Sequence, residues 1–382
     1  MTTILILIIY LSFISLGLPD SLLGSAWPSM YEQMGASITE AGTLAMIISA
    51  CTILSSLMAD RVIHKFGTGK VTMVSVATTA VALIGFSTST AYWHLALWCI
   101  PYGLGAGAVD SALNNYVALN LKARHMSWLH CMWGIGASAG PYIMGLCLSG
   151  GRGWPSGYRI IGMIQAALTA CLVLSLPLWR NQDQNSPVDE SHRNVLSLSE
   201  AVKLPGAKAI LIAFLCYCGL ESSTGLWAAS WLVSVKEVSP ETAASYAALF
   251  YLGITIGRAV SGFISEQLGD SNMIRLGEVI ALLGILLLLS PWSGSLALSG
   301  LVIIGLGCAP IYPSIIHSTP ARFGAENSQS LVGIQMASAY VGSTFAPKVF
   351  GLISDHLSLT FYPVYLAAFL ILMTVMTESN RV

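Results

Sequence analysis

The chain has 382 residues, 55% hydrophobic and 9% charged, with a formal net charge of −1 and a mean hydropathy of +0.72. Soluble domains carry about a quarter charged residues, so an ordinary water-soluble protein is excluded. The near-neutral balance and the lack of a basic cluster argue against a nucleic-acid partner.

Apolar runs of roughly 20 residues, each long enough to cross a bilayer as a helix, recur along the whole length. The polarity alternation of membrane β-strands is absent from the pattern. The expected fold is therefore all-α and membrane-embedded, with twelve transmembrane helices. Six are predicted over 4–31, 38–59, 71–89, 92–119, 127–149 and 158–179, and six over 209–235, 243–265, 273–292, 295–318, 328–353 and 358–377. The first segment lacks the basic flank and small-residue cleavage site of a signal peptide and is read as helix 1.

Helix 1 contains "LGLPDSLLG", in which Asp20 is the only charge before Glu32, and Pro19, Gly17 and Gly24 loosen the helix around it. The loop after helix 2 reads "MADRVIHKFGTGK" (58–70). Helix 4 holds "GLGAGAVDSALNNY" (103–116), where Asp110 is the only charged residue between Lys70 and Lys122. Asn114 lies one turn on and shares its face, while Asn115 lies about 100° round. A charge at the bilayer centre costs at least ~2.5–3.5 kcal/mol on insertion scales, so such residues face a cavity or a partner. An acid beside an amide offers acceptors and donors to a hydroxylated ligand. A carboxyl able to hold a proton and release it as its exposure changes is what proton coupling requires. The plainer reading of Asp110 is a structural hydrogen bond to a neighbouring helix.

Helix 5 carries "GIGASAGPYIMG", in which Gly136, Gly140 and Gly145 permit close helix approach and Pro141 a bend. Gln165 in helix 6 and Gln335 in helix 11 are amides suited to binding hydroxyls or to linking helices. Glu221 in helix 7 either meets ligand or pairs with a basic residue of its own half, and Arg258 in helix 8 is a candidate cross-bundle partner. Lys348, near the end of helix 11, reads as a snorkelling side chain. Aromatic rings suit the apolar face of a sugar. Trp133, Trp227 and Tyr312 are the leading candidates, ahead of Trp27, Tyr116 and Trp231, any of which serves equally as packing. His130 reads as an edge packing residue. The eight cysteines (51, 99, 131, 147, 171, 216, 218 and 308) all fall in spans at no metal-ligand spacing, so neither disulfide nor metal site is expected.

A cytoplasmic N-terminus puts Arg61, Lys65, Lys70, Lys122, Arg124, Arg180, Arg193, Lys203, Lys208, Arg275, Arg322 and Arg381 inside, and only Arg152, Arg159 and Lys236 outside. The longest polar stretch, 180–208, divides the helices six from six. The predicted domains are a bundle over 1–180, a cytoplasmic linker over 181–208 and a bundle over 209–382. The halves match: "GLG" at 103–105 recurs at 305–307, "SAW" at 25–27 as "ASW" at 229–231, "SSLMAD" ending at Asp60 as "SGFISE" ending at Glu266, and "GASAGPYIMG" (136–145) as "GSTFAPKVFG" (342–351). An even number of helices per half makes this a parallel repeat.

Two six-helix bundles in parallel repeat resemble the major facilitator superfamily. The 58–70 loop is similar to that superfamily's signature through Asp60, Arg61, Gly67 and Lys70. The resemblance implies a charge latch between bundles, with Asp60, Arg61, Arg258 and Glu266 as gate candidates. "DSALNNY", the acid at Asp20, "YCGLE" (217–221) and "GLGCAPIYPS" (305–314) further resemble the fucose permease branch, with Asn115 where that branch has proline. That resemblance implies proton-coupled uptake of a sugar or similar small hydroxylated solute by alternating access. It assigns proton coupling to Asp20 and Asp110. It assigns substrate contact to Asp110, Asn114, Asn115, Trp133, Gln165, Glu221, Trp227, Tyr312 and Gln335. The expected setting is a bacterial cytoplasmic (inner) membrane with both termini inside, no cofactor, and a monomer as the transport unit. The main alternative is a proton-driven antiporter exporting drugs or metabolites, since the helix 5 glycines also resemble the antiporter signature. An enzyme is not expected: no metal-spaced histidine pair, Gly-x-Ser-x-Gly or phosphate-binding glycine loop occurs.

Overall fold

The structure, a computed structural model, describes residues 3–20, 22–36, 40–183, 196–238, 240–290 and 294–379; of Pro28, residues 180–183, 240–248 and 294–298, and Asp355 it describes the backbone alone. The start of predicted helix 2, residues 184–195 of the linker, Arg193 and Arg381 lie outside the described residues.

The described residues are helical almost throughout and contain no strand. In chain order the helices are α1 (Thr3–Gly17), α2 (Leu22–Met30), α3 (Ala41–Phe66), α4 (Thr68–Ser87), α5 (Tyr92–Asn120), α6 (Ala123–Ser149), α7 (Gly153–Asp183), α8 (Leu198–Ala201), α9 (Ala207–Lys236), α10 (Pro240–Leu268), α11 (Asp270–Leu289), α12 (Gly294–His317), α13 (Thr319–Phe323), α14 (Ala325–His356) and α15 (Tyr362–Ser379). With α1 and α2 taken as one broken span, and the short α8 and α13 set aside, these are the twelve membrane-length helices expected. Among the described residues, nine helices are long and apolar enough to span by composition alone. The three that fall short, α5, α10 and α14, carry Asp110, Arg258 and Lys348. Leu174, Phe263, Ile4 and Leu352 are each at least 60% exposed, as a lipid-facing surface requires.

Two differences from the predicted elements have simple causes. Helix α3 continues to Phe66 rather than stopping at 59, because the charged stretch after Asp60 keeps helical geometry beyond the apolar run. The turn into α4 is then one residue, Gly67 at φ 80°, ψ 154°, and Gly269 at φ 73°, ψ 159° makes the same turn between α10 and α11; that backbone region is open almost only to glycine.

The chain forms two compact units. One comprises Met1–Tyr116, Met132–Val195 and Ala325–Met336; the other comprises Val117–Cys131, Leu196–Gly324 and Ala337–Val382. The units thus differ from the sequence halves by two short segments, the α5–α6 connection with its flanks and the first turns of α14. Within each unit the repeated "GLG" does the same job. A Cβ on Gly103 would lie 2.4 Å from the Ile48 carbonyl oxygen of α3, and one on Gly305 would lie 2.3 Å from that of Phe250 in α10. Two residues on, Gly105 abuts Ser75 of α4 and Gly307 abuts Gly277 and Ala281 of α11. In lipid, helices associate by close van der Waals contact rather than by the hydrophobic effect, so these glycines set the middle layer of each unit. The first unit also buries an aromatic cluster in which Phe86 stacks on Tyr158 at 5.2 Å and Trp27 packs against Tyr31 and Tyr92.

Candidate functional site

The first unit brings two of the predicted residues together around a break in the first span. Proline lacks an N–H and cannot continue a helical ladder, and α1 ends at Gly17, two residues before Pro19. The Asp20 amide bonds the Gly17 carbonyl at 3.1 Å in a tight turn, and α2 restarts at Leu22. The break leaves the Asp20 side chain exposed. Trp133 Nε1 of α6 donates to its Oδ2 at 2.8 Å, and the Tyr102 hydroxyl of α5 reaches Oδ1 at 3.4 Å. Glycine contact fixes this geometry. A Cβ on Gly17 would meet the Trp133 carbonyl oxygen at 2.2 Å, and one on Gly140 would meet that of Leu18 at 1.9 Å. The helix 5 glycines therefore press α6 against the last turn of α1. Gly145 does not share in this: a Cβ there meets nothing within 4 Å, because it lies a turn beyond the contact.

Asp110 and Asn114 form a second pair on α5, on the shared face expected from their spacing. Asn114 Nδ2 donates to Asp110 Oδ1 at 2.7 Å and to its carbonyl at 3.0 Å, and both residues are buried. Asn115 turns instead to the first turns of α14: its Nδ2 donates to Gln329 Oε1 at 2.8 Å and its Oδ1 accepts from Ser328 Oγ at 2.6 Å. Asp60 accepts a hydrogen bond from Ser330 on the same stretch. Arg61 is exposed. Gln335, also on this stretch, is fully buried. Gln165 is 1% exposed and both ends of its amide are held by Ser15: Oε1 accepts from the hydroxyl, and Nε2 donates to the carbonyl at 2.5 Å.

In the second unit, Glu221 and Arg258 meet at 3.8 Å, with Arg258 3% exposed and 5.9 Å from the Tyr312 ring. Glu221 thus pairs with a basic residue of its own half. Tyr312 packs on His130 at 4.5 Å and Phe214 at 4.6 Å. Trp227 Nε1 donates to the Pro347 carbonyl at 2.8 Å. Glu266 bonds Arg124 at 3.1 Å and Lys122 at 3.5 Å. Lys348 is exposed, as a snorkelling side chain would be.

Sequence reasoning missed Tyr102, although Tyr102, Ala106, Asp110 and Asn114 follow one another at intervals of four and share a helix face. It also missed Glu278, a buried acid in α11 that accepts from Thr377 Oγ1 at 2.8 Å; Arg275 one turn earlier keeps it from standing alone in the sequence. Among the described residues no group of three or more His, Cys, Asp or Glu side chains could hold a metal ion.

The sequence matches the family model of the Major Facilitator Superfamily over residues 9–347. Bypass of stop codon protein 6 of Saccharomyces cerevisiae is 26% identical over 283 residues, 68% of this chain and 56% of the yeast protein, so the match spans little more than half of that relative. The glucose/mannose transporter GlcP of Bacillus subtilis is 22% identical over 312 residues, 80% of this chain and 77% of GlcP. Among solved structures, FucP of E. coli in its outward conformation superposes with a TM-score of 0.81 at 14% identity, covering 100% of this chain and 99% of FucP, a likeness of fold. With twelve membrane-length helices, an internal repeat and a family match over most of its length, the chain belongs to the Major Facilitator Superfamily and is an integral multi-pass membrane transporter, not an enzyme.

Proposed function

We propose that the protein is a proton-coupled symporter for a sugar or a similar small hydroxylated solute, working by alternating access. The observation that carries this reading is Asp20: an exposed carboxylate at a helix break, flanked by the Trp133 indole and the Tyr102 phenol. A carboxylate accepts from sugar hydroxyls and carries a proton, and an indole offers a flat face to the C–H side of a pyranose. The names of two similar proteins support the class: GlcP is a glucose/mannose transporter and FucP a fucose:proton symporter.

Asp20 is the leading proton site and Trp133 the leading substrate contact. Asp110, buried with Asn114, is the second acid. Gln165, Asn115 and Trp227 are occupied by protein groups and act as positioning residues, and Glu221 with Arg258 is a fixed internal charge pair. The Asp60–Ser330 bond and the contacts of Glu266 with Lys122 and Arg124 are made in one transport state and released in another. The same reading has residues 1–180 and 209–382 working as two bundles joined by 181–208. It sets the protein in a bacterial cytoplasmic membrane, termini inside, as a monomer.

The test is purified protein in liposomes enclosing a pH-sensitive dye, challenged with a panel of sugars. One sugar is expected to acidify the lumen with the wild type and not with Asp20→Asn or Asp110→Asn. Acidification by Asp20→Asn equal to wild type overturns the proton role, and a wild type that no sugar drives overturns the class.

A further inference from the structure

Three facts meet at the end of α1. In an uninterrupted helix the Ser15 carbonyl accepts from the N–H of residue 19, and residue 19 is proline, which has none. The carbonyl is within the membrane span, where an unmet acceptor is costly. Gln165, 150 residues away on α7, donates its Nε2 to that carbonyl at 2.5 Å and accepts the Ser15 hydroxyl on Oε1. A cavity of about 10 Å³, close to the room one water needs, is walled by Ser15, Pro19, Tyr102 and Gln165, so the break, its amide partner and the phenol that reaches Asp20 are gathered around one point.

We propose that Gln165 is a positioning residue for Asp20: its amide replaces the N–H that Pro19 lacks, and so fixes the direction in which the chain leaves α1 and presents the Asp20 carboxylate to Trp133 and Tyr102. The residue predicted to touch substrate instead builds the turn that aims the acid. The proton role of Asp20 is taken from the function proposed above; the aiming by Gln165 does not depend on it. Gly17 against the Trp133 backbone holds the turn from α6, and Gln165 holds it from α7. Loss of either support lets Asp20 swing.

The experiment uses the full chain labelled with 5-fluorotryptophan, the Trp133 resonance being assigned with Trp133→Phe. Asp20→Asn sets the signature of an indole without its carboxylate. Gln165→Leu keeps the bulk of the side chain and removes both hydrogen bonds, and is expected to move the Trp133 resonance toward its Asp20→Asn position. Sugar accumulation is expected to fall about tenfold, the size of one lost charge-assisted hydrogen bond. Pro19→Ala supplies an N–H to the Ser15 carbonyl, so Gln165→Leu is expected to lower the melting temperature in the wild-type background and much less in Pro19→Ala. A Gln165→Leu protein with a lowered melting temperature but a wild-type Trp133 resonance overturns the positioning role, as does an equal loss of stability in both backgrounds. The outcomes separate from those of the symport reading: normal accumulation by Asp20→Asn sinks that reading and leaves the resonance test standing.

Discussion

Gly17→Ala probes the α1–α6 contact at the point where it serves Asp20. The new Cβ would start 2.2 Å from the Trp133 carbonyl oxygen and 2.8 Å from the Ala137 nitrogen, whereas real Cβ contacts essentially never fall below 3.0 Å. Both obstacles are backbone, so α1 and α6 must separate by about 0.8 Å, the difference between 2.2 and 3.0 Å. Carried to the Trp133 indole, that displacement stretches its 2.8 Å bond to Asp20 to roughly 3.6 Å, beyond hydrogen-bond range. Overpacking of this kind costs about 1–3 kcal/mol of stability. The lost charge-assisted bond is worth about 1.5–3 kcal/mol, or on the order of 10- to 100-fold in any affinity that depends on it. The assay is sugar binding and uptake beside thermal unfolding, with Gly145→Ala as the control because its Cβ meets nothing within 4 Å. Gly17→Ala is expected to lower both binding and melting temperature, and Gly145→Ala to leave both unchanged. Wild-type uptake by Gly17→Ala, or equal damage from the two substitutions, would refute the argument that backbone contact aims the Asp20–Trp133 pair.

Three further outcomes follow from other contacts. Glu221→Gln removes the carboxylate facing Arg258, which is 3% exposed, and is expected to destabilise by up to about 3–5 kcal/mol, with Glu221→Gln/Arg258→Leu recovering much of the loss; thermal unfolding in detergent measures both. Ser330→Ala removes the hydroxyl that Asp60 accepts from, and hydrogen exchange of residues 325–336 should quicken by roughly 10- to 100-fold, the equivalent of one bond to a charged group; unchanged exchange would count against that tie. The Ser197 hydroxyl and amide donate to Glu200 in the capping box of α8 and hold its carboxyl below the usual 4.5. A depressed carboxyl stabilises the helix fully above its unfolded value and loses that contribution as pH falls through the folded one. Protection of the Glu200 amide should therefore drop below about pH 4.5 in the wild type and stay flat with pH in Glu200→Gln, whose amide preserves the box.

Much of this molecule is local and therefore legible in one dimension. The apolar runs give the spans, Pro19 gives the break, and the spacing of Asp110 and Asn114 gives their bond, because each depends on residues within a turn or two. The offset of about 202 residues between "GLG" copies even anticipates two equivalent contacts, Gly103 on Ile48 and Gly305 on Phe250. The partner of a buried amide is another matter. Gln165 looks equally suited to a sugar hydroxyl or a carbonyl, and only folding shows that Ser15, 150 residues earlier, takes both its ends. Asn115 likewise spends itself on Ser328 and Gln329, more than 210 residues away. Trp133 and Trp227 are chemically identical, yet one donates to a carboxylate and the other to a backbone carbonyl. Residue type announced polarity in the membrane; it did not announce which partner would claim it.

The long separations also set an order of events during synthesis. Asp60 and Asn115 are synthesised with α3 and α5, while Ser328, Gln329 and Ser330 arrive with α14, 213 to 270 residues later in the chain. Until then the first unit lacks the groups that Asp60 and Asn115 bond in the finished fold. Insertion of α14 is thus the step that supplies the last segment of the first unit, Ala325–Met336, while the second still awaits α15. Chains truncated before it should be marked for degradation however well their first six spans have inserted, which makes the eleventh span a checkpoint on the integrity of the whole polypeptide.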